Sequence, residues 1–248
     1  MSDIEAKNQA SEIIKKLVVL PYSQIFDIAP LERDLSNIHE QNPNIAEALI
    51  GMMFCAIMQG NKQKAIELAN KIWNIGVNVI DELEMLYTDC LINIGEFEKA
   101  RILITNRMND VEKNLNLFYN AVVKFAICTG ELYILTNLAK YPEVYITEPP
   151  LFDFAEKYSD GINNKHYSAI LKIINDTIGN FVCTTEYMIH DYGDIQLCLY
   201  TSLGNEENSK LQNIIFEKIK GYYISMQEVA KKNIFIRIEN INLHPAWW

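Results

Sequence analysis

Basic clusters and long apolar runs are both scarce in this chain of 248 residues. It carries 22 Lys and Arg against 32 Asp and Glu, a formal net charge of −10, and no basic cluster is longer than a pair. Nucleic acids and anionic membranes are bound mainly through basic surfaces. The apolar run from Leu49 to Met58 is among the longest, whereas a membrane-spanning helix needs about 20 apolar residues. We therefore expect neither a nucleic-acid nor a membrane partner.

The chain also has no closely spaced cysteine pair, and its first residues do not have the pattern expected of a secretory signal. The five cysteines contain no CxxC pair, and most lie in apolar helical or strand patterns: Cys55, Cys90, Cys128, Cys183 and Cys198. Such cysteines are typical of buried thiols in a reducing compartment. The start, Met1 to Ala6, is polar and acidic, unlike a secretory signal. We expect a cytoplasmic protein, and the heavy use of Asn and Ile favours a bacterial or phage source.

Common catalytic and cofactor motifs are absent. The chain has no HExxH, no Cys/His quartet, no GxxxxGK[ST], no GxGxxG and no GxSxG. We assign no catalytic residue, no cofactor and no metal. A weak metal candidate is His190 with Asp191 and Asp194, because an imidazole and two carboxylates suit a divalent cation. The same residues are also typical of a turn, which is the simpler interpretation.

Three glycines with even spacing organise the first half of the chain. Gly60, Gly95 and Gly130 are separated by 35 residues each, and apolar residues recur at helical spacing on both sides of every glycine. The first two open similar segments, ending at Ala65 and Ala100, while the third lacks the alanine. A fixed period in this range indicates an array of helix pairs, each of which buries its apolar face on the next.

The segment Gly95-Glu96-Phe97-Glu98-Lys99-Ala100 resembles the start of the second helix in tetratricopeptide repeats. The resemblance covers residues 44–141 approximately. It departs from the family in its period, which is one residue longer, and in Glu84, which stands where a bulky residue is usual. The three repeats also resemble helical-repeat chaperones of bacterial secretion systems, which lack the C-terminal unit of this chain.

The resemblance implies a concave groove lined by the first helix of each repeat. The matching positions in this chain are Glu47, Ile50, Phe54, Glu82, Met85, Asp89, Asn93, Asn120 and Lys124. Such a groove is acidic in its first two repeats and has apolar spots, which favours a basic or amphipathic partner segment. For Phe54 and Met85, burial in the core is an equal alternative.

The pattern changes beyond the repeats. The paired prolines in residues 143–150 indicate a linker or a short strand, and helices are predicted over about 151–158 and 164–178. From about residue 181, apolar and polar residues alternate as in a β-hairpin. A helix beginning at Gly204 and a strand over 234–238 complete a ββαβ unit. We predict a helical-repeat domain over 1–180 and a small α+β domain over 181–248, packed on the first domain or on a partner.

These patterns predict a mostly α protein with a small α+β unit, and three functions remain open. The leading hypothesis is a protein–protein interaction module: an adaptor, chaperone or regulatory subunit that holds a partner peptide in its groove. The second is a metal-dependent hydrolase or nuclease-type enzyme with its site in the C-terminal unit. The third is a self-assembling structural protein, a homo-oligomer, in which the terminal indoles of Trp247 and Trp248 insert into a neighbouring copy.

Overall fold

The structure is a computed structural model. It describes residues 2–20, 28–108, 111–140, 149–159, 161–179, 182–190, 194–226 and 234–241, and only the backbone of 111–117, 162, 182 and 183. Within these ranges the protein is mostly helical, with a three-stranded sheet near the C-terminal end. The predicted fold class is confirmed. No helix in the described ranges combines the length and apolar character that crossing a membrane requires.

Consecutive helical hairpins form the first part of the chain, and each packs against the next. The helices are α1 (Asp3–Val18), α2 (Ile28–Gln41), α3 (Ala46–Met58), α4 (Lys62–Ile75), α5 (Asp81–Ile94), α6 (Phe97–Met108), α7 (Val111–Thr129) and α8 (Tyr133–Leu138). The hairpin of α1 and α2 comes before the first predicted repeat and packs on α3. Gly51 permits this close approach, because a Cβ there would lie 2.7 Å from a methyl group of Leu35.

The three evenly spaced glycines lie at the turns between paired helices. Gly60, Gly95 and Gly130 have φ values of 69°, 84° and 79°, a left-handed region that residues with a Cβ adopt at a cost. At the end of α5, the N–H of Gly95 donates to Ile92 O, and the next N–H donates to Leu91 O at 2.9 Å. The period of 35 residues is therefore the distance between equivalent inter-helix turns.

Two buried tyrosines attach later helices to earlier ones. The hydroxyl of Tyr87 in α5 donates to Ala69 O of α4 at 3.0 Å. The hydroxyl of Tyr167 in α10 (Gly161–Ile178) donates to Ile127 O of α7 at 2.8 Å. Both rings are fully buried, so each combines apolar burial with a satisfied hydroxyl group.

The paired prolines were expected to lie in a linker or a short strand outside any helix. This expectation was wrong for Pro149 and Pro150, which lie within a helix. Pro149 and Pro150 form the first turn of α9 (Pro149–Tyr158). The first turn of a helix tolerates proline, because the N–H groups there have no partner within the helix. Residues 143–148 of the predicted linker lie outside the described ranges.

The C-terminal unit has the predicted order of two strands, a helix and a strand. These are β1 (Val182–His190), β2 (Asp194–Thr201), α11 (Asn205–Ser225) and β3 (Ile234–Asn240). Strand β2 lies in the centre, antiparallel to β1 and parallel to β3. Helix α11 connects the parallel pair and packs on β3 and on α10. One face of the sheet is buried through alternating residues: Ile195, Leu197, Leu199, Ile236 and Ile238.

Candidate functional site

The site predicted from the sequence lies where the sheet meets the helical array. The first helices of the three predicted repeats, α3, α5 and α7, pack side by side, and β1 contacts all three. The face on which the groove was predicted is thus partly covered by the chain's own C-terminal unit. The predicted residues differ in accessibility according to whether β1 or the N-terminal hairpin lies against them.

The predicted positions in α3 are all buried. Ile50 and Phe54 are 0% exposed and belong to the core. The Glu47 side chain is 7% exposed, and its Oε1 lies 3.6 Å from Lys7 Nζ of α1. Helix α1 packs along α3. This part of the face is therefore closed by the N-terminal hairpin.

The predicted positions in α5 and α7 change from exposed to buried along each helix. Glu82 at the start of α5 is exposed and Met85 is half-buried, whereas Asn93 near its end is only 5% exposed. On α7, Asn120 is exposed, while the side chain of Lys124 one turn later is 12% exposed. Strand β1 accounts for this gradient, because it contacts both helices and Lys124 Nζ reaches its Thr184 hydroxyl.

Three of the predicted residues form one polar network beneath β1. Lys124 Nζ lies 2.7 Å from Asp89 Oδ1, and Asn93 Nδ2 donates to Asp89 Oδ2 at 3.0 Å. Lys124 also lies 3.3 Å from the Thr184 Oγ1 of β1. Charge-assisted hydrogen bonds are stronger than neutral ones. The network therefore connects two repeats to the sheet.

A cavity of about 260 Å³ lies beside this network. Its walls come from α4, α5, α6, α7, α10 and the sheet, and its polar groups include the Lys62 ammonium, the Asn93 carboxamide and the Thr185 hydroxyl. Sequence reasoning named Asn93 but missed Lys62. A signal for Lys62 was present, because it occupies the position that Phe97 holds one repeat later, where the aromatic residue of the repeat phrase stands.

The weak metal candidates of the C-terminal unit are only partly described. His190 is exposed and stacks edge-on against Phe235, with the ring centroids 6.4 Å apart. Asp194 Oδ1 lies 3.4 Å from Lys157 Nζ. Asp191 lies outside the described residues. In the part of the chain that the structure describes, no three His, Cys, Asp or Glu side chains are grouped as metal ligands.

The assembly prediction for Trp247 and Trp248 also falls outside the described residues.

Comparison of the chain with models of known protein families, with curated protein sequences and with solved structures finds no match.

Proposed function

We propose that the protein is a protein–protein interaction module of tetratricopeptide-like architecture: an adaptor, chaperone or regulatory subunit acting in the cytoplasm. It binds a basic or amphipathic segment of a partner at the open end of its concave face. The supporting observation is that Glu82, Met85 and Asn120, from two successive repeats, stay accessible while the rest of this face is covered. The buried free thiols of Cys55 and Cys90 agree with a reducing compartment.

The charge at this open end favours a basic partner. The first turn of α5 is acidic, with Asp81, Glu82 and Glu84. Arg107 neutralises two of these carboxylates, at 2.7 Å from Asp81 Oδ1 and 2.5 Å from Glu84 Oε2. Glu82 has no ion-pair partner among the described residues and is exposed. A partner lysine or arginine would supply the missing counter-charge.

The neighbouring apolar surface favours an amphipathic segment. Met85 lies one turn after Glu82 on α5, and Tyr119 precedes Asn120 on α7; both Met85 and Tyr119 are half-buried. Flexible Met side chains adapt to varied apolar partners. A helix or extended segment that places one basic residue beside an apolar residue matches this surface.

The test is site-specific photo-cross-linking in cells of the source organism. A photoreactive residue replaces Asn120, and a second variant carries it at Glu67, which is exposed on α4, a second helix of a repeat. We expect the photoreactive residue at position 120 to cross-link a distinct partner protein, and the one at position 67 not to cross-link that protein. The cross-linked segment of the partner should carry Lys or Arg.

Charge reversal at two positions then distinguishes binding at Glu82 from a general effect of the protein's negative charge on the affinity for the partner. Glu82→Lys should weaken binding of the identified segment about tenfold, equivalent to about 1.4 kcal/mol. Glu67→Lys makes the same change in net charge and should leave the affinity unchanged. Both variants should unfold at the wild-type urea concentration, since both residues are exposed. Equal affinities for the two variants, or the same partner from both cross-linking positions, would contradict the proposal.

A further inference from the structure

The sheet of the C-terminal unit has a second face, opposite the one that is buried. On β2, Ile195 and Leu197 are buried, so Gln196 between them lies on the second face, because successive side chains of a strand alternate. Gln196 pairs with Met188 of β1 and with Phe235 of β3. Paired residues share a face of the sheet. These three residues therefore form one row across all three strands, which we call the open row.

The open row carries apolar surface at both of its ends. Met188 is 55% exposed and Phe235 is 45% exposed. The ring of His190 lies edge-on to Phe235, with the centroids 6.4 Å apart. Further along the same face, Tyr200 is only 6% exposed, so the accessible part of this face is the end that holds the open row. Aromatic rings pack favourably on such a surface in stacked or edge-on geometry.

The next row of the same face adds an exposed cation. Arg237 of β3 pairs with Cys198 of β2. The side chain of Arg237 is 60% exposed, and its Nη2 lies 2.5 Å from Glu239 Oε1. A guanidinium group attracts the face of an aromatic ring, and tryptophan is the best partner. The two rows are about 7 Å apart along the strand, so a single indole can contact both.

The chain's own sequence places two indoles within reach of this surface. Trp247 and Trp248 follow Ile241, the last described residue, by six and seven positions. Six residues of extended chain reach about 20 Å, which is about the distance along the strand from Ile241 back to Phe235. A two-residue reversal would bring Trp248 level with Arg237. Its indole would then extend over Phe235.

We propose that the open row and Arg237 are a docking surface for residues 242–248 of the same chain, with the indoles of Trp247 and Trp248 packed on Met188 and Phe235. Docking removes apolar surface of both partners from water. It is favoured over insertion into a neighbouring copy, because a short connection gives the segment an effective concentration in the millimolar range. The proposal does not depend on partner binding at Glu82.

The first test observes Met188 directly, by NMR of the full chain with ¹³C-labelled methionine methyl groups. A ring packed on Met188 shifts its methyl resonance, which is assigned with Met188→Leu. The double variant Trp247→Leu, Trp248→Leu should move the Met188 resonance by more than its line width and leave that of Met52 on α3 in place. Trp73→Leu is the matched control, because it removes an indole from α4, and it should not move the Met188 resonance.

The second test observes the indoles. The chain has three tryptophans, so in Trp73→Phe all the tryptophan fluorescence comes from positions 247 and 248. Acrylamide should quench it less than it quenches a free peptide of residues 242–248. Adding Phe235→Thr should lower the ratio of docked to undocked chains about tenfold, equivalent to about 1.4 kcal/mol, and should raise quenching towards that of the peptide. Ile102→Thr, at a 49% exposed position of α6, is the control and should leave quenching unchanged.

Dilution distinguishes docking within one chain from insertion into a second copy. The Met188 resonance and the quenching should both stay constant over about a hundredfold dilution, because an intramolecular contact does not depend on protein concentration. Values that change on dilution overturn the proposal. So does a Met188 resonance that the double variant leaves in place, or quenching in Trp73→Phe equal to that of the peptide. If Phe235→Thr fails to fold, the Met188 resonance still decides, because that test leaves the sheet unchanged.

Discussion

Replacement of Gly95 by alanine tests the physical basis of the repeat period. Gly95 ends α5 with φ at 84°. Among the described residues, a Cβ at this position would meet only Lys62 Nζ, at 3.9 Å, which is an ordinary contact. The substitution therefore introduces no steric clash with any residue that the structure describes. Any loss of stability must come from the left-handed backbone conformation.

The expected change in the free energy of unfolding for Gly95→Ala is the sum of two opposing contributions. The left-handed conformation costs an L-residue about 1 to 2 kcal/mol, while the smaller conformational freedom of alanine in the unfolded chain returns about 0.5 kcal/mol. We expect Gly95→Ala to lower the free energy of unfolding by about 1 kcal/mol, and the melting temperature by about 3 °C for a chain of this length. Gly95→Asn should lose less, because asparagine tolerates this conformation.

Replacement of a second glycine, Gly221, by alanine should change the free energy of unfolding in the opposite direction. Gly221 lies within α11, without a positive φ, and no atom of the described residues lies within 4 Å of a Cβ built there. Gly221→Ala should raise the free energy of unfolding by about 0.5 to 1 kcal/mol, because alanine favours helix. Urea unfolding monitored by circular dichroism measures both variants. If Gly95→Ala unfolds at the wild-type urea concentration or above it, the left-handed turn is not what this glycine supplies.

Two further predictions concern the interior. Lys124→Met removes one partner of the largely buried pair with Asp89 and should lower the free energy of unfolding by about 3 kcal/mol. Lys15→Met is the control, because the side chains of the Lys15–Glu12 pair are 70% and 65% exposed, and it should lower the free energy of unfolding by less than about 0.5 kcal/mol. Equal losses in urea unfolding would refute this distinction. Burial raises the pKa of the Cys55 thiol from 9.0 to about 12. Between these two pKa values the Cys55 thiol keeps its proton in the folded protein and loses it in the unfolded chain. The contribution of this thiol to the free energy of unfolding is therefore complete below pH 9.0 and is lost as the pH rises towards 12. Cys55→Ala should show a shallower fall in the free energy of unfolding above about pH 9, by up to about 1.4 kcal/mol per pH unit; parallel pH profiles for variant and wild type would contradict the shift.

The turns and element types of this protein were predictable because their causes are local. Gly60, Gly95 and Gly130 adopt left-handed φ values that depend on the absence of a Cβ at a single position. The alternation in residues 182–201 predicted a hairpin, because successive side chains of a strand point to opposite faces. The paired prolines misled for a related reason: proline excludes a helix interior but fits its first turn, and the sequence pattern does not separate the two at Pro149.

The candidate site was predictable only in part. The resemblance to tetratricopeptide repeats implied that Asp89, Asn93 and Lys124 share one face, because they match groove positions on the first helices of adjacent predicted repeats. It could not show that Asp89 accepts from both other side chains, or that Thr184 of β1 lies against Lys124. Those contacts depend on how helices pack across the interface, which no local pattern encodes.

The sequence by itself determined the helix pairs, their period and the ββαβ order, because each follows from short-range spacing and backbone preference. Only the tertiary structure decided which of the predicted groove residues are exposed and which are buried. That depends on β1, which follows Lys124 by about 60 residues and is brought to α5 and α7 by burial of the sheet's apolar face. The cavity between Asn93 and Lys62 exists for the same reason, because its walls come from segments that meet only when the sheet packs on the repeats.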